Sequence, residues 1–153
     1  MPIEKIFNNT LPAKIDSKIK NIIKDSYFEA VDNIGYEEFE YVCKKIACKL
    51  KITGESATSW IVDLSKCYGI LFKILNDHMK KRHKLSSEAF RLIGAALFYF
   101  INPFDIIPDY TPGIGYIDDL FVLFTCIKSL KKKDKEIVIN HFQSFLEQQY
   151  AVK

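Results

Sequence analysis

Four aspartates, Asp105, Asp109, Asp118 and Asp119, stand within fifteen residues of one another in one of the most apolar parts of the chain. Carboxylate oxygens are the ligands that hard divalent cations such as Mg²⁺, Mn²⁺ and Ca²⁺ gather around themselves. Carboxylates held close together also need a cation or a proton to relieve their repulsion. A loop that turned Asp105 and Asp109 back toward Asp118 and Asp119 would therefore make a divalent-cation site, either structural or activating a water for hydrolysis. The spacing is not that of an EF-hand, whose ligands alternate and end in Glu.

Two other readings of the same residues stay open. In the first, the aspartates organise the backbone. Asp105 and Asp109 accept N–H bonds in turns, and Asp118 and Asp119 sit in the first turn of a helix, where carboxylates complement the dipole. In the second, the segment is a partner surface. Phe104, Ile106, Ile107, Tyr110 and Ile114 are too many apolar side chains for one short loop to bury. Those left outside would form an apolar patch rimmed by acid, suited to a protein partner or a membrane. The candidate loop site comprises Tyr99, Asn102, Pro103, Phe104, Asp105, Ile107, Pro108, Asp109, Pro112 and Gly115.

The elements that must position this segment are helical. Apolar positions at Ile15, Ile19, Ile22, Ile23, Tyr27 and Ala30 predict a helix over about 14–33, ended by Asn33 and Gly35. Phe39, Val42, Cys43, Ile46, Ala47 and Leu50 predict a second over 36–50, broken by Thr53-Gly54. Trp60, Leu64, Cys67, Leu71, Leu75 and Met79 predict a third over 56–80. Ser86 is an N-cap for a helix to about Ile101, with a thin side at Gly94, Ala95 and Ala96 that lets a neighbour come close. Pro103 ends it. Residues 117–130 form a helix apolar nearly all round, of the kind buried at the centre of a bundle. Asp134 caps a last helix over 134–150. No segment alternates with period two. The expected architecture is all-α, a compact bundle of five to seven helices. Its centre is an antiparallel helix–loop–helix hairpin around an ordered Pro/Asp-rich loop.

The length of 153 residues suits one domain, 1–153: a lead-in over 1–12, N-terminal helices over 14–84, the core hairpin over 85–130 and a C-terminal helix. Hydrophobic residues at 48% exclude a disordered chain. The cysteines, Cys43, Cys48, Cys67 and Cys126, lack zinc-site spacing and read as reduced core thiols. His78, His83 and His141 supply no metal spacing either. The start MPIEKIFNNTLP lacks the basic and apolar regions of a secretory leader, so none is expected, and no apolar run approaches the roughly 20 residues of a membrane span. A cytoplasmic protein is expected, peripheral at most to the inner face of a membrane. The charge is uneven: residues 85–127 hold Arg91 against five acids and net −4, and the remainder nets +7. The basic clusters at 80–84 and 131–135 read as solvated helix ends rather than nucleic-acid contacts, although Lys-rich flanks also favour an anionic membrane surface. No P-loop and no nucleophile frame is present, so the sequence offers no complete catalytic set.

The stretch ALFYFINPFDIIPDYTPGIGYIDDLFVLF, residues 96–124, resembles the YkvA-like family, a domain of unknown function found mainly in bacteria. The matching positions are Tyr99, then Pro103-x-Asp105-x-Ile107-Pro108-Asp109, then Pro112, Gly115 and Asp118-Asp119 before an apolar helix. The resemblance implies a helix–loop–helix unit and no established activity. The apolar helices of some relatives look membrane-associated, so the resemblance hints at location rather than chemistry.

Overall fold

The computed structural model describes residues 16–80, 85–101 and 116–151, with side chains as far as residue 144. Within them lie six helices and no strand: α1 (Ser17–Asn33), α2 (Tyr36–Gly54), α3 (Ser59–Met79), α4 (Ser87–Ile101), α5 (Ile117–Ser129) and α6 (Lys132–Ala151). The lead-in over 1–12 and the loop over 102–115 lie outside the described residues.

The helix ends follow local chemistry. The Asp16 carboxylate accepts from the Lys18 N–H at 2.8 Å and opens α1. The Gly35 N–H donates to Glu38 at 2.9 Å and opens α2. Ser86 opens α4, its hydroxyl accepting from the Ala89 N–H at 3.0 Å. The inward lines keep helical spacing: Ile23, Tyr27 and Val31 on α1, and Phe39, Val42 and Ile46 on α2.

One core cluster takes side chains from all six helices. Its central member is α4, packed against α1, α2, α3 and α5. Tyr99 near the end of α4 meets Asp118 at the start of α5, while Leu92 meets Cys126 further along, so the pair is an antiparallel hairpin as expected. The thin side of α4 has the expected use: a Cβ on Gly94 would come within 3.2 Å of Ile34 Cδ1. Polar ties fix the packing. The Tyr27 hydroxyl donates to the Leu92 carbonyl at 2.8 Å, joining α1 to α4. Thr53 and Ser65 hydrogen-bond at 2.8 Å, joining α2 to α3.

Several expectations are corrected. Cys43 and Cys48 are exposed; only Cys67 and Cys126 are core thiols. The inward line of α2 runs through 39, 42 and 46, which turns Cys43 and Ala47 outward. Ile22 and Met79 likewise face solvent. The second helix does end at Thr53-Gly54, but it runs through both residues rather than stopping at Leu50, with Thr53 bonding back to the Lys49 carbonyl at 2.8 Å. The third helix begins at Ser59 rather than Ser56, whose hydroxyl instead accepts from the Thr58 N–H. Asp134 does not cap α6, which begins two residues earlier. Its carboxylate is buried and accepts from the Ser86 N–H at 3.0 Å and hydroxyl at 2.7 Å, tying α6 to the start of α4. As expected for a central helix, α5 is buried nearly all round: only Lys128 is exposed, with Phe121, Phe124 and Ser129 half-buried.

The charges of α1 run against its dipole. Lys18, Lys20 and Lys24 fill the N-terminal half and Asp25, Glu29 and Asp32 the C-terminal half, with no acid in the first turn and no base in the last. The dipole acts within the first and last turns, so of these lysines it is Lys18 that opposes it, beside the Asp16 carboxylate that caps the helix.

Candidate functional site

The signature residues among those described converge where α4 ends and α5 begins. Asp118 and Asp119 occupy the first turn of α5, and both are 0% exposed. They stand at the positive end of the helix, as the capping reading expects, but sealed in the core rather than solvated. The Tyr99 hydroxyl donates to Asp118 Oδ2 at 3.2 Å. From α3, the buried Tyr68 hydroxyl donates to the Asp119 carbonyl at 2.6 Å. Tyr68 in turn stacks on Phe100 of α4, ring centroids 4.2 Å apart and 3° from parallel.

The outer side of this cluster carries a cation. The Lys49 ammonium from α2 stands 4.8 Å from the Tyr116 ring centroid and 5.5 Å from that of Phe100. Such contacts are worth roughly 0.5–2 kcal/mol, depending on how dry they are. Tyr116 has φ of 73°, the one non-glycine residue with positive φ among those described. Left-handed backbone costs an ordinary residue about 1 kcal/mol, and it is held here by the packing around it.

Burial sets the protonation of the neighbours. The Tyr68 hydroxyl is raised well above its ordinary value, first by burial and then by the charge of Asp119, which keeps it a hydrogen-bond donor. Burial pushes the Cys126 thiol up to about 12 and the Cys67 thiol higher still, so neither is a thiolate nucleophile. Among the described residues, no group of three or more His, Cys, Asp or Glu side chains comes together to hold a metal ion.

Of the predicted site residues, the structure unites Tyr99, Asp118 and Asp119. Asn102, Pro103, Phe104, Asp105, Ile107, Pro108, Asp109, Pro112 and Gly115 lie outside the described residues, so the four-carboxylate arrangement lies partly outside them as well. Residues 102–115 join Ile101 to Tyr116, so that segment begins and ends at this cluster. Sequence reasoning missed Lys49, Tyr68, Phe100 and Tyr116. Tyr68 was legible: it follows Leu64 by one turn on the inward stripe of α3. Lys49 carried no signal, because its partner rings are distant in sequence.

The pattern of a family described as "Protein of unknown function (DUF1232)" matches residues 89–125, which span α4, the joining loop and most of α5. The chain is also 33% identical over 94 residues to a Bacillus subtilis protein named "Uncharacterized membrane protein YkvA". That match covers 59% of this chain and 89% of the relative. No solved structure matches.

Proposed function

The chain belongs to the DUF1232 family of YkvA-like proteins of unknown function, and from that premise we propose that it is a non-enzymatic protein of the membrane surface, held at the anionic inner leaflet. The observation that carries this reading is the reversed charge order of α1. Lys18, Lys20 and Lys24 gather in the N-terminal half of α1, and Phe28 on the turn after Lys24 is 39% exposed. Lysines beside an exposed aromatic suit an interface with anionic lipid, where each basic residue near the surface contributes about 1 kcal/mol. The relative's printed name supports attachment to a membrane. Among the described residues no helix is long and apolar enough to cross one, which favours a surface position. The sealed acid pair then serves as a keystone that holds both ends of the 102–115 segment in place.

The test is flotation of the purified chain with vesicles of phosphatidylglycerol or of phosphatidylcholine. Co-flotation with the anionic lipid alone, weakened by added salt, is expected. A chain that stays at the bottom of the gradient with both lipids at low salt rules the reading out.

A second reading is favoured by one observation, the complete burial of two adjacent carboxylates. Buried charge is costly unless a cation, a proton or hydrogen bonds offset it. Asp105 and Asp109, on the segment joined to this cluster, are the residues that would complete a divalent-cation site. Melting the protein in EDTA and then with Mg²⁺, Mn²⁺ or Ca²⁺ tests it. A site filled at a hundred times its Kd raises stability by about 2.7 kcal/mol. No shift with any cation excludes it.

A further inference from the structure

We propose that the groove between α1 and α5 is a specific seat for one anionic phospholipid, its phosphate among three lysines and its first acyl carbons on three phenylalanines. This deepens the membrane-surface reading and rests on it. The groove has a volume of about 330 Å³ and is lined by Lys20, Lys24 and Phe28 of α1 and by Phe121, Phe124 and Lys128 of α5, with no acidic side chain among its lining residues.

The lining follows from helical spacing. On α1 the three positions recur every fourth residue, beside the buried line of Ile23, Tyr27 and Val31. On α5, Phe121, Phe124 and Lys128 form a single stripe on a helix whose other positions are mostly buried. The two helices run side by side in the same direction: Lys20 Nζ lies 5.9 Å from the Phe121 ring centroid, and Tyr27, further along α1, reaches the same Leu92 carbonyl as Cys126 of α5. A basic rim and an aromatic floor therefore lie in register along the groove. The floor is apolar even where hydroxyls occur. Thr125 and Ser129 spend theirs on the Phe121 and Thr125 carbonyls, at 2.9 and 2.7 Å.

Charge and size select the occupant. Three ammonium groups with no acid among the described lining residues favour an anion, and the phenylalanines favour one attached to hydrocarbon. Small-molecule sites run from about 300 to 1,000 Å³, so this groove holds a head group and a few carbons rather than whole acyl chains. A phospholipid whose remaining chain length stays in the bilayer meets that description.

The test titrates the full chain with monomeric dihexanoylphosphatidylglycerol, dihexanoylphosphatidylcholine, inorganic phosphate and a short single-stranded oligonucleotide, beside flotation with phosphatidylglycerol vesicles. Expected is saturable binding of the phosphatidylglycerol, at least tenfold tighter than the phosphatidylcholine or phosphate alone. Each added buried methylene should tighten it by up to about fourfold. The triple variant Lys20→Gln, Lys24→Gln, Lys128→Gln should weaken binding by roughly a hundredfold, whereas the matched control Lys44→Gln, Lys45→Gln, Lys73→Gln, at exposed positions elsewhere, should not. Phe28→Ala should abolish the dependence on chain length while keeping the preference for an anion. Equal losses in the two triple variants would reduce the effect to diffuse charge and overturn the groove. Vesicle binding without monomer binding would overturn it too, leaving the surface reading intact. Monomer binding without vesicle binding would uphold the groove and remove the surface reading. Tighter binding of the oligonucleotide, or of phosphate alone, would overturn the lipid assignment.

Discussion

Removing the Tyr99 hydroxyl tests whether the acid pair is a keystone. Tyr99 is 6% exposed and donates to a fully buried carboxylate, so Tyr99→Phe deletes one internal hydrogen bond with almost no change in shape. Bonds to charged groups contribute about 1.5–3 kcal/mol, and at 3.2 Å this one belongs at the low end or just below it, near 1 kcal/mol. Asp118→Ala removes the same bond, strands the hydroxyl and opens a small cavity, for about 2–3 kcal/mol. Because both variants lose one shared bond, the double variant should fall short of the sum of the singles by about 1 kcal/mol. In a chain of this length 1 kcal/mol moves Tm by about 3 °C. Thermal melts of the wild type, both singles and the double therefore decide the matter. Additivity within about 0.3 kcal/mol, or a rise in Tm for Asp118→Ala, would refute the reasoning.

Other outcomes follow from the same geometry. Tyr27→Phe should cost about 1 kcal/mol in a denaturant melt, because the hydroxyl joins α1 to the Leu92 carbonyl in the core; a neutral result would remove that tie. The Cys126 thiol, raised from 9.0 to about 12 by burial, keeps its proton in the fold longer than in the unfolded chain. Its contribution is therefore complete below pH 9 and lost as pH climbs from 9 to about 12, at up to about 1.4 kcal/mol per pH unit. Cys126→Ser should flatten that alkaline decline, and an unchanged slope would count against the assignment. With a thiol reagent under native conditions, Cys43 and Cys48 should react quickly and Cys67 and Cys126 only on unfolding; four fast thiols would contradict the burial pattern.

The helices were legible because their inward residues repeat at three and four positions and because Asn33, Gly35 and Ser86 punctuate them. The errors have physical causes. Cys43 sits one residue beside the inward line of α2, and composition alone cannot distinguish an apolar flank from an apolar face. Thr53 rescues the end of α2 by bonding to its own helix and to Ser65, partners that a local pattern does not reveal. Asp134 looked like a cap because acids favour helix starts, yet its partner, Ser86, lies 48 residues away. At the site, the signature located Tyr99, Asp118 and Asp119, but not the depth at which they lie. The depth of the two acids depends on residues from other helices, such as Tyr68 of α3, whose hydroxyl reaches the Asp119 carbonyl. The groove was invisible for the same reason, since its lysines and phenylalanines come together only when α1 and α5 lie side by side.

The membrane-surface role is tested most directly in cells that express the full chain, by separating membranes from the soluble fraction and washing them with high salt. The account predicts that the protein sediments with the membranes and is released by the wash, because a charged interface and not a spanning helix holds it. Recovery in the soluble fraction before any wash, or retention after high salt and alkaline carbonate, would contradict it.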